Sequence, residues 1–237
     1  MTVQTQLKVW DRSTRGRTQI GWLDGYHSFS FGRYFDPDRM GFRALRVIND
    51  DVIKASRGFG MHPHSEMEIL TWVLDGKIVH EDSTGKSGEI VPGDLQLMSA
   101  GTGIRHSEFN GLDDAPTHLL QIWIEPSVAG VTPGYQQASF DVAGRTDQWQ
   151  LLASPDARDG SLKIHAEAEV SVAVLGAGSE LDALISADRH GYLHVARGKV
   201  EVDGRELSSG DAVSFSGGST VLIRGLEASE LMLFDLK

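Results

Sequence analysis

The chain of 237 residues predicts an all-β protein built from two barrel-like domains of similar design. Three observations support this prediction. Helical periodicity is scarce, whereas short stretches of alternating apolar and polar residues recur and end at Gly, Pro, Asn or Asp. An Asp-Gly dipeptide separates two such stretches, and a weak repeat relates the two halves of the chain. Many short strands at this spacing favour a sandwich or barrel over an α/β fold.

The individual strands are predicted from the alternation of their residues. Between residues 168 and 174 every even-numbered residue is apolar, whereas Glu169 projects to the other face. In the stretch 199–207, Asp203-Gly204 interrupts two alternating runs. Asp-Gly supplies the positive φ angles of a two-residue hairpin turn, so this stretch is predicted to form a β-hairpin.

A short repeat links the two halves. LDGKIV at residues 74–79 precedes PGD at residues 92–94, and ARGKV at 196–200 precedes SGD at 209–211. Each half therefore offers a strand, a glycine turn, a second strand, a Gly-Asp turn and a third strand.

The boundary between the two predicted domains lies in residues 125–146, which are rich in turn-forming Pro and Gly. We expect an N-terminal domain over residues 1–133 and a C-terminal domain over residues 147–237.

Composition restricts the chemistry and the partners. The net charge is -11 with no cluster of Lys or Arg, which disfavours direct nucleic-acid binding and anchoring on anionic membranes. There is no cysteine, so a bound metal ion must use imidazole or oxygen ligands. A leader-like apolar segment and a stretch of about 18 apolar residues are both lacking, so we expect a cytoplasmic protein.

Two pairs of polar residues carry the strongest chemical signal. His62 and His64 flank Pro63, and residues two apart in a strand project from the same face, about 6.6 Å apart. His106 and Glu108 repeat this spacing with a carboxylate in place of the second imidazole. Facing strands would combine them into a site with three histidines and one carboxylate, which suits Fe(II), Mn(II), Ni(II), Cu(II) or Zn(II).

The two pairs lie within runs that resemble the signature of the cupin barrel. The runs HPHSEMEILTWVLDG, HEDSTG and PGDLQLMSAGTGIRHSE further resemble the pirin family of bicupins, in particular its quercetinase-like bacterial branch. The resemblance extends to residues 22–37, 41–51 and 151–165, and so covers nearly the whole chain. It implies two cupin-type β-barrel domains of the double-stranded β-helix or jelly-roll type.

The same resemblance implies that His62, His64, His106 and Glu108 bind one divalent transition metal ion in the N-terminal domain. Fe(II) is the ion that we expect, and Mn, Ni, Co, Cu or Zn would fit the same ligands. Residues 80–82, HED, are open to two interpretations: they either support these ligands or form a polar turn.

The function implied by the resemblance is a quercetin 2,3-dioxygenase reaction, in which O2 cleaves a flavonol and carbon monoxide is released. Glu108 is the candidate proton acceptor for the flavonol hydroxyl. Two alternatives stay open at this point. One is a metal- and redox-sensing regulator that acts through a protein partner, and the other is a different cupin activity on an enolisable metabolite.

The second half departs from the metal motif. The positions that correspond by counting to the four expected ligands carry no suitable set of side chains: Leu184, Ser186, Ile223 and Gly225. His190, Tyr192 and His194 share a strand face, which we interpret as strand packing. The C-terminal domain is therefore expected to be a cupin-like barrel without metal ligands.

Two further predictions concern side chains near the motif. Gln121 and Trp123 share one strand face, and we favour burial against the second domain over lining of a pocket beside the metal. Glu66 and Glu68 follow the His-Pro-His motif on the same strand face if the strand is straight. Glu68 would then lie about 13 Å from His64, too far to share an ion, so it is expected to affect packing or pocket polarity instead.

Overall fold

Short antiparallel strands dominate the computed structural model, which describes residues 6–218 and 220–237. The described residues form three 3-10 helices, Arg12–Thr14, Val142–Arg145 and Arg158–Gly160. The strands of the first half are β1 (Lys8–Trp10), β2 (Gly16–Ile20), β3 (Leu23–His27), β4 (Leu45–Ile53), β5 (Gly58–His64), β6 (Glu68–Asp75), β7 (Ile78–Asp82), β8 (Ser87–Ile90), β9 (Asp94–Ser99), β10 (Ile104–Asn110), β11 (Thr117–Ile124) and β12 (Gly134–Ser139). The strands of the second half are β13 (Gln150–Ser154), β14 (Leu162–Lys163), β15 (Ala168–Leu175), β16 (Glu180–Leu184), β17 (His190–Arg197), β18 (Lys199–Val202), β19 (Arg205–Ser208), β20 (Ala212–Ser216), β21 (Thr220–Gly225) and β22 (Ser229–Leu236).

The chain divides into two compact units. The N-terminal unit comprises Arg15–Phe140 and Leu162–Ala166, and its strands form two sheets with the orders β12-β9-β6-β11-β4-β3-β2 and β5-β10-β7-β8. The C-terminal unit comprises the described part of Met1–Thr14 together with Asp141–Ser161 and Glu167–Lys237. Its sheets contain the orders β1-β20-β17-β22-β15-β13 and β16-β21-β18-β19. The all-β fold with two cupin-type barrels is thus confirmed.

The units do not follow the ranges 1–133 and 147–237 that we expected from the sequence. Strand β1 pairs with β20, and residues 162–166 belong to the N-terminal unit. A Pro- and Gly-rich stretch can only divide the chain at one place. It does not show that β1, near the start of the chain, pairs with a strand of the second half, or that residues 162–166 return to the N-terminal unit.

The predicted turns are present. Val202 pairs with Arg205, and Asp203 and Gly204 between them have φ angles of 44° and 79°. These positive angles define the two-residue hairpin that joins β18 and β19. The hairpin prediction is therefore confirmed.

The interiors of the two units differ in polarity. In the C-terminal unit one apolar cluster of fifteen buried residues extends over both sheets, with Leu193, Val213 and Ile223 among its members. Two smaller apolar clusters of described residues in the N-terminal unit lie around Leu119 and around Met98. Polar side chains occupy the space between them and form the candidate site. Among the described residues there is no helix with the length and apolar character that a membrane span requires.

Candidate metal centre

Strands β5 and β10 bring the two predicted pairs of residues face to face. They are antiparallel neighbours, with His62 opposite His106 and His64 opposite Ile104. Pro63 has no amide hydrogen to donate, and β5 tolerates it because β5 lies at the edge of its sheet. A bulge between His106 and Glu108 shifts the pairing with β5, a feature that re-aims side chains at functional sites.

Three imidazoles converge in this part of the barrel. One ring nitrogen from each of His62, His64 and His106 lies within 4.8 Å of the other two. The Nε2 atoms of His62 and His106 are 3.1 Å apart. The Nδ1–H of His62 donates to the carbonyl of Gly60 at 2.8 Å, which leaves the lone pair of His62 on Nε2, the atom that points into the cluster.

The electrostatics of the cluster favour neutral imidazoles. Burial, followed by the charges of His106 and His62, lowers the pKa of His64 to about 4. Burial, followed by His62 and His80, lowers the pKa of His106 to about 3. Both rings are therefore neutral at pH 7, the state in which histidine binds metal ions.

The cluster fits a divalent metal ion. The Nε2 atom of His64 is buried and has no hydrogen-bond partner among the described residues. The Nε2 atoms of His62 and His106 lie close by, so nitrogens of three imidazoles face one another in the cluster. A divalent ion, with bonds of about 2.0–2.2 Å to nitrogen, would satisfy these lone pairs, and the clustering of the three nitrogens within 4.8 Å fits such an ion.

Glu108 lies beside the three histidines. Its side chain is 3% exposed, and one of its oxygens is 3.9 Å from Nε2 of His106. Gln121 Nε2 donates to both carboxylate oxygens at 2.9 and 3.0 Å, and Thr71 Oγ1 donates to one of them at 3.2 Å. These donors fix the orientation of the carboxylate. The structure thus brings His62, His64 and His106 into one cluster and leaves Glu108 adjacent to it.

The expectation that Gln121 and Trp123 are buried against the second domain is wrong. Gln121 pairs with Thr71 across β11 and β6, and paired residues share a sheet face, so both face the interior and reach Glu108. Trp123 is on the same face, and its ring packs edge-on against His64 with centroids 4.9 Å apart. Burial alone does not reveal which side of a fully covered strand faces the site.

Glu66 and Glu68 do not continue the His62/His64 strand face. Strand β5 ends at His64, Glu66 has a φ of 49°, and Glu68 begins β6 in the other sheet. The carboxylate of Glu66 accepts a hydrogen bond from the amide of Gly130 at 3.1 Å. Glu68 accepts from Ser99 Oγ at 2.9 Å. A turn after His64, which the sequence analysis took as a straight strand, separates both carboxylates from the histidines.

Aromatic rings and a surface pocket border the cluster. Phe31 packs edge-on against Trp123 with centroids 5.4 Å apart, and Trp123 in turn contacts His64. A pocket of about 370 Å³ opens beside His64 and is also lined by Ile104 and Arg105. This volume lies at the lower end of the range for small-molecule sites.

His80 completes a second group that the sequence analysis left undecided. Its side chain is fully buried, and with His106 and Glu108 it has potential ligand atoms within 4.8 Å of one another. His80, Asp82 and Ile78 alternate along β7, so the spacing of two within HED is the signal for a shared interior face. The structure therefore favours support of the ligands over a simple polar turn for this motif.

Comparison with known proteins agrees with the fold. Two successive barrels of this kind define the chain as a bicupin. The Pirin family model matches residues 10–124, and a model described as the quercetinase C-terminal cupin domain matches residues 151–236. The chain belongs to the pirin family, as its sequence motifs predicted.

Individual relatives cover nearly the whole chain. It is 48% identical to a quercetin 2,3-dioxygenase of Escherichia coli (strain K12), over 94% of this chain and 95% of the relative. It is 43% identical to a pirin-like protein of Caulobacter vibrioides, over 93% and 95% of the two chains. The crystal structure of the bacterial pirin YhhW from Escherichia coli in complex with nickel(II) superposes with a TM-score of 0.92 at 44% identity, covering 98% of this chain and 99% of that one.

Proposed function

We propose that the protein is a metal-dependent dioxygenase of the quercetin 2,3-dioxygenase type, which cleaves a flavonol with O2 and releases carbon monoxide. In this proposal His62, His64, His106 and Glu108 hold one divalent ion. The convergence of three imidazoles beside an oriented carboxylate is the observation that carries it. The quercetin 2,3-dioxygenase of Escherichia coli and the nickel(II) complex of YhhW support the activity and a divalent ion. Fe(II) remains our proposal for the physiological ion.

The ion, when bound, supplies a positive centre at which a deprotonated flavonol and O2 are brought together. The residues of the chain prepare the substrate. Glu108 is proposed to take the proton of the flavonol 3-hydroxyl on a carboxylate oxygen, and Gln121 and Thr71 hold that carboxylate in place. Phe31 and Trp123 offer flat apolar surfaces for a planar aromatic substrate beside His64.

Aerobic turnover of quercetin tests this function. The full-length protein loaded with Fe(II) should remove the flavonol absorption band and release carbon monoxide, and a chelator should stop both. His62→Ala should abolish turnover, whereas His165→Ala, a histidine for which only backbone contacts are recorded, should retain it. Equal rates in His62→Ala and wild type, or turnover without carbon monoxide, would rule out the proposed reaction.

A further inference from the structure

A buried hydrogen-bonded chain leads from Asp82 through His80 to His106. Nε2 of His80 is 3.2 Å from Oδ2 of Asp82, and Nδ1 of His80 is 3.4 Å from Nδ1 of His106. All three side chains are fully buried. The backbone register explains the arrangement, because β7 and β10 are neighbours with Asp82 opposite His106.

Asp82 is held in place by the turn that follows it. Its Oδ1 atom accepts hydrogen bonds from the amide of Thr84 at 2.8 Å, the hydroxyl of Thr84 at 2.6 Å and the amide of Lys86 at 3.3 Å. The second oxygen, Oδ2, is left to face His80. A carboxylate only accepts hydrogen bonds, so Nε2 of His80 must carry the proton between them.

This single donor determines the protons of the next two rings. With Nε2 donating to Asp82, Nδ1 of His80 is the nitrogen that accepts, and it faces Nδ1 of His106. Nδ1 of His106 must then carry a proton to donate to it. The lone pair of His106 is consequently on Nε2, the atom that lies 3.1 Å from Nε2 of His62 within the cluster.

The surroundings of His80 keep its ring in this orientation. The ring of Tyr135 lies against it with centroids 4.7 Å apart and planes tilted by 34°. The hydroxyl of Tyr135 donates to Gln137 at 2.7 Å and so does not compete for a nitrogen of His80. His80 therefore has its recorded polar contacts on opposite sides, with Asp82 and with His106.

We propose that Asp82 and His80 are positioning residues that fix the Nδ1–H tautomer of His106 and thereby present its Nε2 lone pair to the metal ion. The proposal rests on the assignment of His106 as a ligand in the proposed function. Partners of this kind, which hydrogen-bond the far nitrogen of a ligating histidine, typically change metal affinity 10–100-fold when they are removed. The competing arrangement has His80 as a direct ligand, together with His106 and Glu108.

Two variants of the full-length protein separate these arrangements. Asp82→Asn keeps the shape of the side chain but allows an amide N–H to face Nε2 of His80, which would reverse both tautomers. His80→Phe keeps a flat ring against Tyr135 but breaks the chain. The matched control is Asp94→Asn, because Asp94 is also a buried carboxylate at a turn, where it accepts from Ser139 and Gln137, with no recorded contact to His80 or His106.

The first measurement is the histidine tautomer in the metal-free protein, read from long-range ¹H–¹⁵N correlation spectra. His106 should be protonated on Nδ1 in the wild type and in Asp94→Asn, and on Nε2 in Asp82→Asn. Thermal unfolding confirms that each variant is folded. An unchanged His106 tautomer in a folded Asp82→Asn protein would overturn the proposal, whether or not the protein binds metal.

The second measurement is a calorimetric titration with Ni(II). We expect binding 10–100-fold weaker in Asp82→Asn and in His80→Phe, and wild-type affinity in Asp94→Asn. If Asp82→Asn kept the wild-type affinity while His80→Phe lost binding, His80 would be a direct ligand. That result would overturn the proposed positioning role of Asp82 and His80. Absence of Ni(II) binding by the wild type would instead contradict the metal centre, while the tautomer measurement still decides the hydrogen-bonded chain.

Discussion

The two barrels share one strand plan and differ in what fills them. The sheet β5-β10-β7-β8 of the N-terminal unit corresponds to β16-β21-β18-β19 of the C-terminal unit, and the core order β9-β6-β11-β4 corresponds to β20-β17-β22-β15. Even the outer neighbour of β9, which is β12, has a counterpart in β1 beside β20. The repeat in the sequence therefore reflects a repeat in the fold.

Their interiors have opposite character. In the C-terminal unit Ala183 and Ile223, on the strands that correspond to those of the metal centre, belong to a continuous apolar core. In the N-terminal unit the corresponding strands carry His62 and Glu108, and Gln96 faces the interior with both amide atoms lacking a partner among the described residues. One strand plan thus supports either an apolar core or a reactive centre, and the difference lies in a few interior side chains.

The largest expected effect concerns the carboxylate that completes the centre. Glu108→Ala removes a proposed ligand next to His106 and should weaken Ni(II) binding by at least about 100-fold in a calorimetric titration, the upper end of the loss typical for a partner that only supports a ligand. Glu68→Ala removes a carboxylate that contacts Ser99 and the amide of His165, away from the histidines, and should leave the affinity unchanged. Affinities in the reverse order would mean that the ligand set has been assigned wrongly.

A smaller effect is expected from the glycines of the shared plan. Gly76 and Gly198 follow corresponding strands with φ angles of 86° and 80°. A Cβ at Gly198 would lie 2.3 Å from the carbonyl oxygen of Ala228, and one at Gly76 would lie 2.4 Å from Thr117 Oγ1. Each change to Ala should lower the free energy of unfolding by more than about 2 kcal/mol, because positive φ and steric overlap add.

The control for these glycines is Gly204→Ala. Gly204 also has a positive φ of 79°, but an added Cβ meets nothing within 4 Å. Only the conformational cost of about 1–2 kcal/mol remains there. Urea unfolding of the three variants checks this order, and an equal loss at Gly204 and Gly198 would show that the close contacts have no energetic effect.

A pH-dependent effect concerns the stability of the polar interior. Burial, with the charges of Asp50 and Glu108, raises the pKa of Asp51 to about 8. Between about pH 4 and 8 the unfolded chain has lost this proton and the folded chain keeps it, so stability falls as pH rises. Asp51→Asn removes this titration, so the Tm of the variant relative to the wild type should be higher at pH 8 than at pH 5. Each kcal/mol by which the wild type loses free energy of unfolding over this range corresponds to about 2–4 °C.

The neighbouring Asp50 provides a control of opposite sign. Burial raises its pKa, but hydrogen bonds from His118 and Arg15 outweigh this and lower it to about 2. Its stabilisation is present above about pH 4 and is lost as pH falls toward 2. Asp50→Asn should therefore lower Tm by a similar amount at pH 5 and pH 8. A Tm gain for Asp51→Asn that does not change with pH would contradict the buried protonated carboxyl.

Much of the fold was predictable because its signals are local. The Asp203-Gly204 turn and the alternation around Glu169 depend only on backbone sterics and on the period of a strand. The placement of β1 beside β20 was not predictable, because the sequence of a three-residue strand does not indicate which strand it pairs with. The same holds for residues 162–166, which belong to the N-terminal unit although they follow β13.

The candidate site was predictable in part for the same reason. The spacing of two places His62 and His64 on one strand face, and the structure confirms that His106 lies opposite His62. The roles of Gln121 and His80 depend on which face of a doubly covered strand meets the interior. Periodicity identifies two faces but does not say which one is inside when both are buried.

The stoichiometry and location of bound metal in the full-length protein test the central claim most directly. Metal analysis after loading with Fe(II) or Ni(II) should find one ion per wild-type chain. It should find none in His106→Ala, and one in His194→Ala, which alters a buried histidine of the other barrel. Two ions per wild-type chain, or a full equivalent retained by His106→Ala, would contradict a single metal centre in the N-terminal barrel.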